Sequence, residues 1–270
     1  MSRVITLLTD FGVESTYPAQ MKGVILGRCP SATIIDLSHG VPRHNVRAAA
    51  FMLASTARAF PPETIHLAVV DPQVGGPRRV LAAETCGQVF VAPDNGLLTL
   101  ASCGGFMCEG CAPPVRFYSV ENRAYFRTEV SSTFHGRDIF APVAAALSCG
   151  AKLADLGPEV DSITRFNVPT PDRQAGAIRG EVLYLDPFGN LVTNIPATML
   201  EGIPPETLGV QISGALIRGL SKSYNDVPAG WLLAYVGSAG LLEVAVNRQS
   251  AASRLGADVE TPVRVTFPVA

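Results

Sequence analysis

The chain has 270 residues, 47% of them hydrophobic and 16% charged, a composition that supports a large core and excludes intrinsic disorder as the main state. Its 21 basic and 23 acidic residues leave a net charge of −2, which excludes a global positive field that would attract nucleic acid. No apolar run approaches the roughly 18 residues of a membrane span, and the apolar start breaks at Asp10 before a secretory signal develops. We therefore expect neither nucleic acid nor a membrane as a partner.

The first two thirds of the chain alternate short β-branched runs with helical stretches, the pattern of a parallel sheet covered on both faces. Strands are predicted at 4–9, 32–37, 64–70, 80–83 and 89–92, and helices at 19–28, 46–59 and 138–147. The sequence Cys86-Gly87-Gln88 predicts a hairpin turn between the last two strands. We predict an open, mainly parallel α/β sandwich domain over residues 1–167.

Proline, glycine and polar residues without periodicity then indicate a linker over 168–177. Closely spaced short strands follow, at 179–185, 191–195, 209–213, 231–236, 241–246 and 262–267. Strands at this spacing predict a smaller β-barrel-like domain over 178–270. The predicted fold class is therefore α/β with two domains.

Aspartate recurs where the predicted strands of the first domain end, at Asp10, Asp36, Asp71 and Asp94. Ligands of open parallel sheets bind at this edge, so these four strand ends could place several carboxylates around one crevice. The alternative is that these residues form turns and helix caps. The sequence has no P-loop and no GxGxxG after the first strand, which favours a ligand with hydroxyl groups, such as a nucleoside, over a nucleotide.

Two histidines have different predicted environments. His66 lies inside an apolar strand and is interpreted as a core residue. His135 precedes a predicted helix that Asp138 would cap. The residues alone leave open whether His135 is an active-site base or an ordinary loop residue.

Six cysteines are too few for a disulfide scaffold, and with no export signal they favour a reducing compartment, so we expect a cytoplasmic protein. The spacing of Cys103, Cys108 and Cys111 resembles part of an iron–sulfur run, or half of a zinc site. A fourth ligand is missing nearby, so these residues are interpreted as loop cysteines. We expect neither a metal nor a cofactor.

A series of motifs extends in order from residue 6 to residue 247: TLLTDFG, MKGVI, IIDLSHGVP, HLAVVDPQVGGPRR, VAPDNGLLTL, TFHGRDIFAPVAAAL, DPFGNLVTNI and GSAGLLEVAVN. Together they resemble the S-adenosyl-L-methionine hydrolase (adenosine-forming) family, whose relatives include fluorinating and chlorinating enzymes. The resemblance implies an α/β domain followed by a barrel-like domain. It also implies a homotrimer whose active sites lie between the N-terminal domain of one subunit and the C-terminal domain of the next.

The resemblance places the family's water-activating trio on Asp71, Arg78 and His135. Halogenating relatives carry Tyr at the place of Asp71 and Ser or Gly at the place of His135, so this chain resembles the hydrolase branch. Asp10 matches the carboxylate that binds the ribose hydroxyls. The other matched substrate contacts are Ser15, Tyr17, Asp186, Asn190, Ser238, Val246, Asn247 and Arg248.

Three positions depart from the family pattern: Ser15 and Asn45 stand where Asp is usual, and Gln73 replaces a usual Gly. The resemblance implies hydrolysis of S-adenosyl-L-methionine to adenosine and methionine, with Arg78 and His135 stabilising a developing hydroxide and Asp71 orienting them. Two alternatives remain open. One is a non-catalytic sensor of adenosine or S-adenosylmethionine, and the other is halide-dependent adenosyl transfer.

Overall fold

A computed structural model describes residues 3–102 and 114–268 of the chain. The three loop cysteines, Cys103, Cys108 and Cys111, lie outside the described residues. The chain divides into two compact units, Met1–Phe166 and Asn167–Ala270. None of the helices within the described ranges has the length and apolar character needed to cross a membrane.

The first unit alternates strands with helices along the chain. Its elements are β1 (Val4–Thr9), α1 (Tyr17–Arg28), β2 (Thr33–Ser38), α2 (Val46–Ala57), β3 (Ile65–Val69), β4 (Val80–Thr85), β5 (Gln88–Pro93), β6 (Arg116–Ser119), α3 (Ala141–Ser148), α4 (Leu153–Leu156) and β7 (Glu159–Val160). They form a seven-stranded sheet in the order β2-β1-β3-β5-β4-β6-β7. The β2-β1-β3-β5 half is parallel, and the remaining pairings are antiparallel.

This architecture confirms the α/β prediction, and every strand predicted in this unit is present within two residues of its expected bounds. The sheet is mixed because a hairpin joins β4 to β5. Its turn residues, Cys86 and Gly87, both have positive φ, at +51° and +71°, as type I′ turns require. The sequence did not predict β6 and β7, which have only four and two residues, too few to show a hydrophobic period.

One hydrophobic cluster of the first unit lies between the parallel strands and helices α1 and α3. Ile5 and Leu67 of the sheet are fully buried against Met21 of α1 and Val143 of α3. Full burial of such side chains contributes roughly 1.5–3 kcal/mol each. His66 is also fully buried, stacked on the Phe90 ring at 4.9 Å, so its prediction as a core residue is confirmed.

The predicted helix at 138–147 is divided in two. A π-helical turn, Gly136–Phe140, precedes α3. Pro142 has no N–H to donate to the Asp138 carbonyl four residues earlier, and this carbonyl accepts instead from the Arg127 N–H at 2.9 Å. The interruption therefore joins the start of α3 to the preceding loop.

The second unit is built almost entirely of strands. Its elements are β8 (Asp172–Gln174), β9 (Ala177–Leu185), β10 (Leu191–Pro196), β11 (Gly209–Ile212), β12 (Ala215–Arg218), β13 (Leu232–Val236), β14 (Leu241–Val246), α5 (Ala251–Leu255) and β15 (Pro262–Thr266). The antiparallel order is β12-β11-β15-β9-β10-β14-β13, with β8 beside β9. The end strands β12 and β13 approach each other, so the sheet is a nearly closed barrel.

The barrel core contains fully buried Ile178, Leu191, Leu242 and Val265. Two strands differ from the sequence prediction. The predicted linker at 168–177 contains β8, a three-residue edge strand whose polar residues show no alternation. The sequence also missed β12, which follows a turn at Ser213 and Gly214, both with positive φ.

Candidate active site

The carboxyl ends of β1 and β3 carry the first part of the candidate site. These strands are parallel neighbours, with Thr9 beside Val69, so Asp10 and Asp71 follow at the same edge of the sheet. Both aspartates line a cavity of about 350 Å³. Its other lining residues are Phe11, Tyr17, Arg43, His44, Val69, Val74, Thr133, Phe134, His135 and Gly136.

Two of the four strand-end aspartates, Asp10 and Asp71, line this cavity, whereas Asp36 and Asp94 are not in its lining. Asp36 accepts from Lys22 at 2.5 Å, and Asp94 accepts from Arg79 Nε at 2.7 Å. Asp36 and Asp94 thus form ion pairs with basic side chains and are not part of the cavity lining. A short pattern of residues after a strand does not distinguish a carboxylate with a local partner from one that faces a cavity.

Arg78 links the other two members of the trio that the family resemblance assigns to water activation, Asp71 and His135. Its Nε and Nη2 both donate to Asp71 Oδ2, at 2.9 and 2.5 Å, and Nη2 also lies 2.8 Å from His135 Nδ1. The Arg78 and Asp71 side chains are each only 4% exposed, and the guanidinium lies over the Phe140 ring, 5.4 Å from its centre. A buried pair of this kind is held rigidly, because loss of either partner would leave an uncompensated charge.

The protonation state of His135 follows from its neighbours. Burial, and then the Arg78 charge, lower the pKa of His135 below its usual value. A neutral imidazole that accepts an Arg78 N–H at Nδ1 carries its own proton on Nε2. His135 lines the cavity, and its Nε2–H group is a hydrogen-bond donor without a positive charge.

Only one of the two Asp71 carboxylate oxygens has a hydrogen-bond partner among the described residues. Oδ2 accepts both hydrogen bonds from Arg78, whereas the buried Oδ1 has no hydrogen-bond partner among the described residues. An unpartnered buried carboxylate oxygen is costly and indicates a missing donor. Since Asp71 lines the cavity, a water or ligand hydroxyl group bound there would supply the donor.

Asp138 holds the segment that carries His135. Its carboxylate is fully buried and accepts from Arg127 at 2.9 Å, from Arg137 at 2.7 and 3.0 Å and from the Ser131 N–H at 2.9 Å. Burial alone would raise the pKa of Asp138, but these hydrogen bonds hold it at about 2. The predicted capping role is wrong, because the side chain binds two arginines and an earlier loop instead of the α3 N-terminus.

The remaining predicted contacts of the first unit surround the cavity unequally. Asp10 Oδ2 accepts from the His44 N–H at 2.8 Å, and His44 has a left-handed φ of +63°. Tyr17 packs edge-to-face on Phe11 and Phe134 at 5.8 and 5.0 Å, forming an aromatic wall. Ser15 is not in the lining, and its Oγ accepts from the Tyr17 N–H at 3.2 Å.

Two departures from the family pattern have visible local roles. Asn45 caps α2, with its side chain accepting from the Ala48 N–H at 2.9 Å. Gln73 lies in the turn after Asp71, where its carbonyl accepts from the Gly76 N–H at 2.9 Å. Asn is among the best N-cap residues, so the substitution at Asn45 retains the cap.

The second unit has its own cavity, of about 380 Å³. Its lining residues are Phe188, Asn190, Tyr224, Val246, Arg248, Gln249 and Ser250. Three of these were predicted to bind substrate, and a fourth predicted residue, Asp186, accepts from Asn190 Nδ2 at 2.7 Å. Ser238 and Asn247 are not in the lining, and Asn247 Nδ2 donates to the Val227 carbonyl at 2.8 Å. The aromatic members, Phe188 and Tyr224, were not predicted from the sequence, although Phe188 lies within the DPFGN motif.

Metal binding finds no support in the described part of the chain. There, no three His, Cys, Asp or Glu side chains are grouped so that they could hold an ion. The three loop cysteines lie outside this part.

The chain matches the SAM hydroxide adenosyltransferase N-terminal domain over residues 5–157 and the corresponding C-terminal domain over 180–264. Similar proteins named (R)-S-adenosyl-L-methionine hydrolase occur in Salinispora tropica, 39% identical with 97% of each chain covered, and in Thermus thermophilus, 38% identical with 97% and 99% covered. A fluorinase of an Actinoplanes species is 30% identical, with 90% of this chain and 91% of the relative covered. Among solved structures, an uncharacterized conserved protein of Thermotoga maritima is 36% identical, with a TM-score of 0.87 and 97% and 99% of the two chains covered.

Proposed function

The chain belongs to the SAM hydroxide adenosyltransferase family and is an S-adenosyl-L-methionine hydrolase, and we propose that Asp71, Arg78 and His135 activate the water that attacks the ribose C5′. The products are adenosine and methionine. The observation that carries this assignment is Arg78, which bonds both Asp71 and His135 beside one cavity. A sensor would need the cavity but not this hydrogen-bonded trio.

The reaction is an in-line displacement. The water oxygen forms a bond to C5′ as the C5′–S bond breaks, its electron pair returns to sulfur, and the cationic sulfonium leaves as the neutral thioether of methionine. One proton passes from the water to solvent. The leaving group requires no acid, so catalysis must act on the nucleophile, because free water is a very weak acid and supplies little hydroxide at neutral pH.

The trio supplies complementary interactions to that water. The unpartnered Asp71 Oδ1 accepts one of its hydrogens, while the Arg78 charge and the His135 N–H stabilise negative charge on its oxygen. The bonds from Arg78 to Asp71 and His135 fix the positions of both groups before substrate binds. Alignment of oxygen, C5′ and sulfur contributes several kcal/mol more.

Substrate contacts follow from the same assignment. Asp10 binds the ribose hydroxyls with the carboxylate oxygen that the His44 N–H leaves free, and the wall of Tyr17, Phe11 and Phe134 covers one side of the ligand. In the second unit, the proposed contacts are Asp186, Asn190, Val246 and Arg248. Ser15, Ser238 and Asn247 are also proposed as contacts, through main-chain atoms where their side chains are used elsewhere.

The proposed assembly is a homotrimer in which the N-terminal domain of one subunit and the C-terminal domain of the next form each site. Support comes from large apolar side chains on both units that are exposed in one chain: Val13 at 80%, Phe188 at 79% and Trp231 at 63%. Contacts with neighbouring subunits would bury these side chains and remove their apolar surface from water. The proposed location is the cytoplasm, which the sparse cysteines of the sequence favour.

A complementation experiment tests the shared site. Asp71→Asn damages the first-unit part of a site, and Asn190→Ala damages the second-unit part. Unfolding and refolding the two inactive variants together produces mixed trimers, some of whose sites combine intact parts from two subunits. Recovery of activity, with none in either variant refolded alone, supports the assembly. No recovery in trimers shown to be mixed would exclude it.

Product analysis tests the reaction. The protein is incubated with S-adenosylmethionine in ¹⁸O-water, with and without chloride or fluoride, and the nucleoside is identified by chromatography and mass spectrometry. We expect adenosine with ¹⁸O in its 5′-hydroxyl group, and no effect of halide. A 5′-halogenated nucleoside would establish adenosyl transfer to halide, and binding without turnover would leave a sensor.

A further inference from the structure

Four polar side chains of the second unit form a continuous hydrogen-bonded chain that ends in the candidate cavity. Tyr235 donates to Glu243 Oε2 at 2.5 Å, the Tyr235 and Tyr224 hydroxyl groups lie 2.7 Å apart, and Asn190 Nδ2 donates to the Tyr224 hydroxyl group at 2.9 Å. Tyr224 and Asn190 line the cavity, whereas Tyr235 and Glu243 are absent from its lining. We call these four residues the tyrosine relay.

The hydrogen bond from Tyr235 to Glu243, at the end of the tyrosine relay away from the cavity, fixes the direction of the other hydrogen bonds. Tyr235 has one hydroxyl hydrogen, which it donates to Oε2 of the ionised Glu243 carboxylate. The hydrogen between the two tyrosines therefore comes from Tyr224, and Tyr224 in turn accepts from Asn190. Burial, followed by the bond to Glu243, raises the pKa of Tyr235, so this hydroxyl group stays protonated and remains a donor.

Both ends of the tyrosine relay are held in place. Glu243 is buried against Gly237, where a Cβ would collide with its carboxylate. At the other end, Asn190 Nδ2 gives its second hydrogen to Asp186 Oδ2 at 2.7 Å. Asp186 Oδ1 accepts from the Phe188 and Asn190 N–H groups, at 2.9 and 2.8 Å. A carboxylate can only accept, so Asp186 fixes the Asn190 amide in the same orientation.

The cavity wall formed by Asn190 and Tyr224 therefore has no side-chain N–H or O–H group left to donate to a ligand. The two Asn190 N–H groups and the Tyr224 hydroxyl hydrogen are all committed, and no hydrogen bond among the described residues uses Asn190 Oδ1. What remains at this wall is acceptor capacity, on Asn190 Oδ1 and on the Tyr224 oxygen. The rest of the lining consists of Phe188 and Val246 and the polar residues Arg248, Gln249 and Ser250, so this lack of donors applies to the wall of Asn190 and Tyr224 alone.

We propose that Glu243 and Tyr235 are specificity-determining residues, which act through Tyr224 to make this wall select a ring that carries an amino group over one that carries a carbonyl group. The choice of ligand rests on the proposed function, in which the bound nucleoside is adenosine. A 6-amino group meets acceptors at the wall. A 6-carbonyl group, as in inosine, meets acceptors too and loses its hydrogen bond to water without replacement.

The test measures Kd for adenosine and for inosine by calorimetry on the intact protein. Tyr235→Phe leaves the Tyr224 hydrogen without an acceptor, so it is free to turn into the cavity as a donor. We expect inosine binding to improve and the preference for adenosine to fall by about fivefold, the effect of one hydrogen bond. Tyr224→Phe removes this donor as well, so it should weaken adenosine binding without improving inosine binding.

Tyr118→Phe serves as a matched control, because it removes the hydroxyl group of a buried tyrosine on β6 of the first unit; its preference should equal that of the unmodified protein. An unchanged preference in Tyr235→Phe would overturn the proposal, as would identical behaviour of Tyr235→Phe and Tyr224→Phe. Measuring turnover of S-adenosylmethionine in the same proteins distinguishes failure of this proposal from failure of the proposed function. Hydrolysis without any preference for adenosine overturns the tyrosine relay alone, whereas relay-dependent binding without hydrolysis overturns the enzyme assignment alone.

Discussion

Arg78 Nη2 donates to His135 Nδ1 across 2.8 Å, so a permanent cation is hydrogen-bonded to the unprotonated nitrogen of an imidazole whose pKa is lowered first by burial and then by the Arg78 charge. The arrangement separates two tasks. Arg78 supplies positive charge, and His135 supplies an oriented N–H that does not add a second charge next to the first. A developing hydroxide would be stabilised by both, whereas a protonated His135 would be repelled by Arg78.

Arg78→Lys should reduce kcat by about 100-fold or more, because one ammonium group cannot reproduce the planar guanidinium bonded to both Asp71 and His135. Adenosine formation from S-adenosylmethionine measures the effect. Arg79→Lys is the matched control, since the neighbouring Arg79 binds Asp94 outside the cavity lining. Near-normal turnover of Arg78→Lys would remove the guanidinium geometry from the mechanism.

The pH dependence of His135 should report the same contact. Burial and the Arg78 charge lower the pKa of His135, so the active neutral form persists below the usual value of 6.5, and activity should fall only as pH drops through the lowered pKa. In Arg78→Met, the charge is gone and the His135 pKa should rise. NMR titration of the His135 ring in both proteins measures this shift without requiring turnover. Equal pKa values would contradict the pairing.

Asp138→Asn should lower kcat by roughly tenfold with little change in KM, because Asp138 positions the His135 segment through Arg127, Arg137 and the Ser131 N–H. A neutral amide cannot accept from all three donors. Asp94→Asn is the matched control, since Asp94 is also buried and binds an arginine and a backbone N–H. If both variants lose stability but only Asp138→Asn lowers kcat of the folded protein, the role is positional. An equal loss of kcat in both would show a merely structural role.

Much of the first unit could be predicted because its period and its turns are local signals. The buried strands, the Cys86-Gly87 hairpin and the core position of His66 follow from hydrophobic runs and turn chemistry. The division of the 138–147 helix could not be predicted in the same way. It depends on the Arg127 N–H, which lies 11 residues before the carbonyl group that it binds.

The parts of the candidate sites that could not be predicted also depend on contacts between residues far apart in the sequence. Asp10, Asp36, Asp71 and Asp94 look alike in sequence, and only the positions of Lys22 and Arg79 decide which two bind elsewhere. The tyrosine relay joins residues up to 53 positions apart, from Asn190 to Glu243. No spacing in the sequence predicts this chain of hydrogen bonds, because the pairing of β13 with β14 places only Tyr235 beside Glu243, and Tyr224 and Asn190 come from other segments.

The buried His66 should make the protein less stable in mild acid. Its Nδ1 lies 2.8 Å from Thr6 Oγ1, and burial lowers its pKa from 6.5 to about 4. Below pH 6.5 His66 is protonated in the unfolded chain but stays neutral in the folded chain. The free energy of unfolding therefore falls as pH drops, until the pKa of the folded state is reached. At 1.36 kcal/mol per unit, the loss amounts to about 3 kcal/mol between pH 6.5 and 4. Urea unfolding at several pH values measures this slope, which His66→Gln should reduce, whereas His44→Gln, at a side chain that is 72% exposed, should leave it unchanged. The same slope in all three proteins would mean that other groups govern the acid sensitivity.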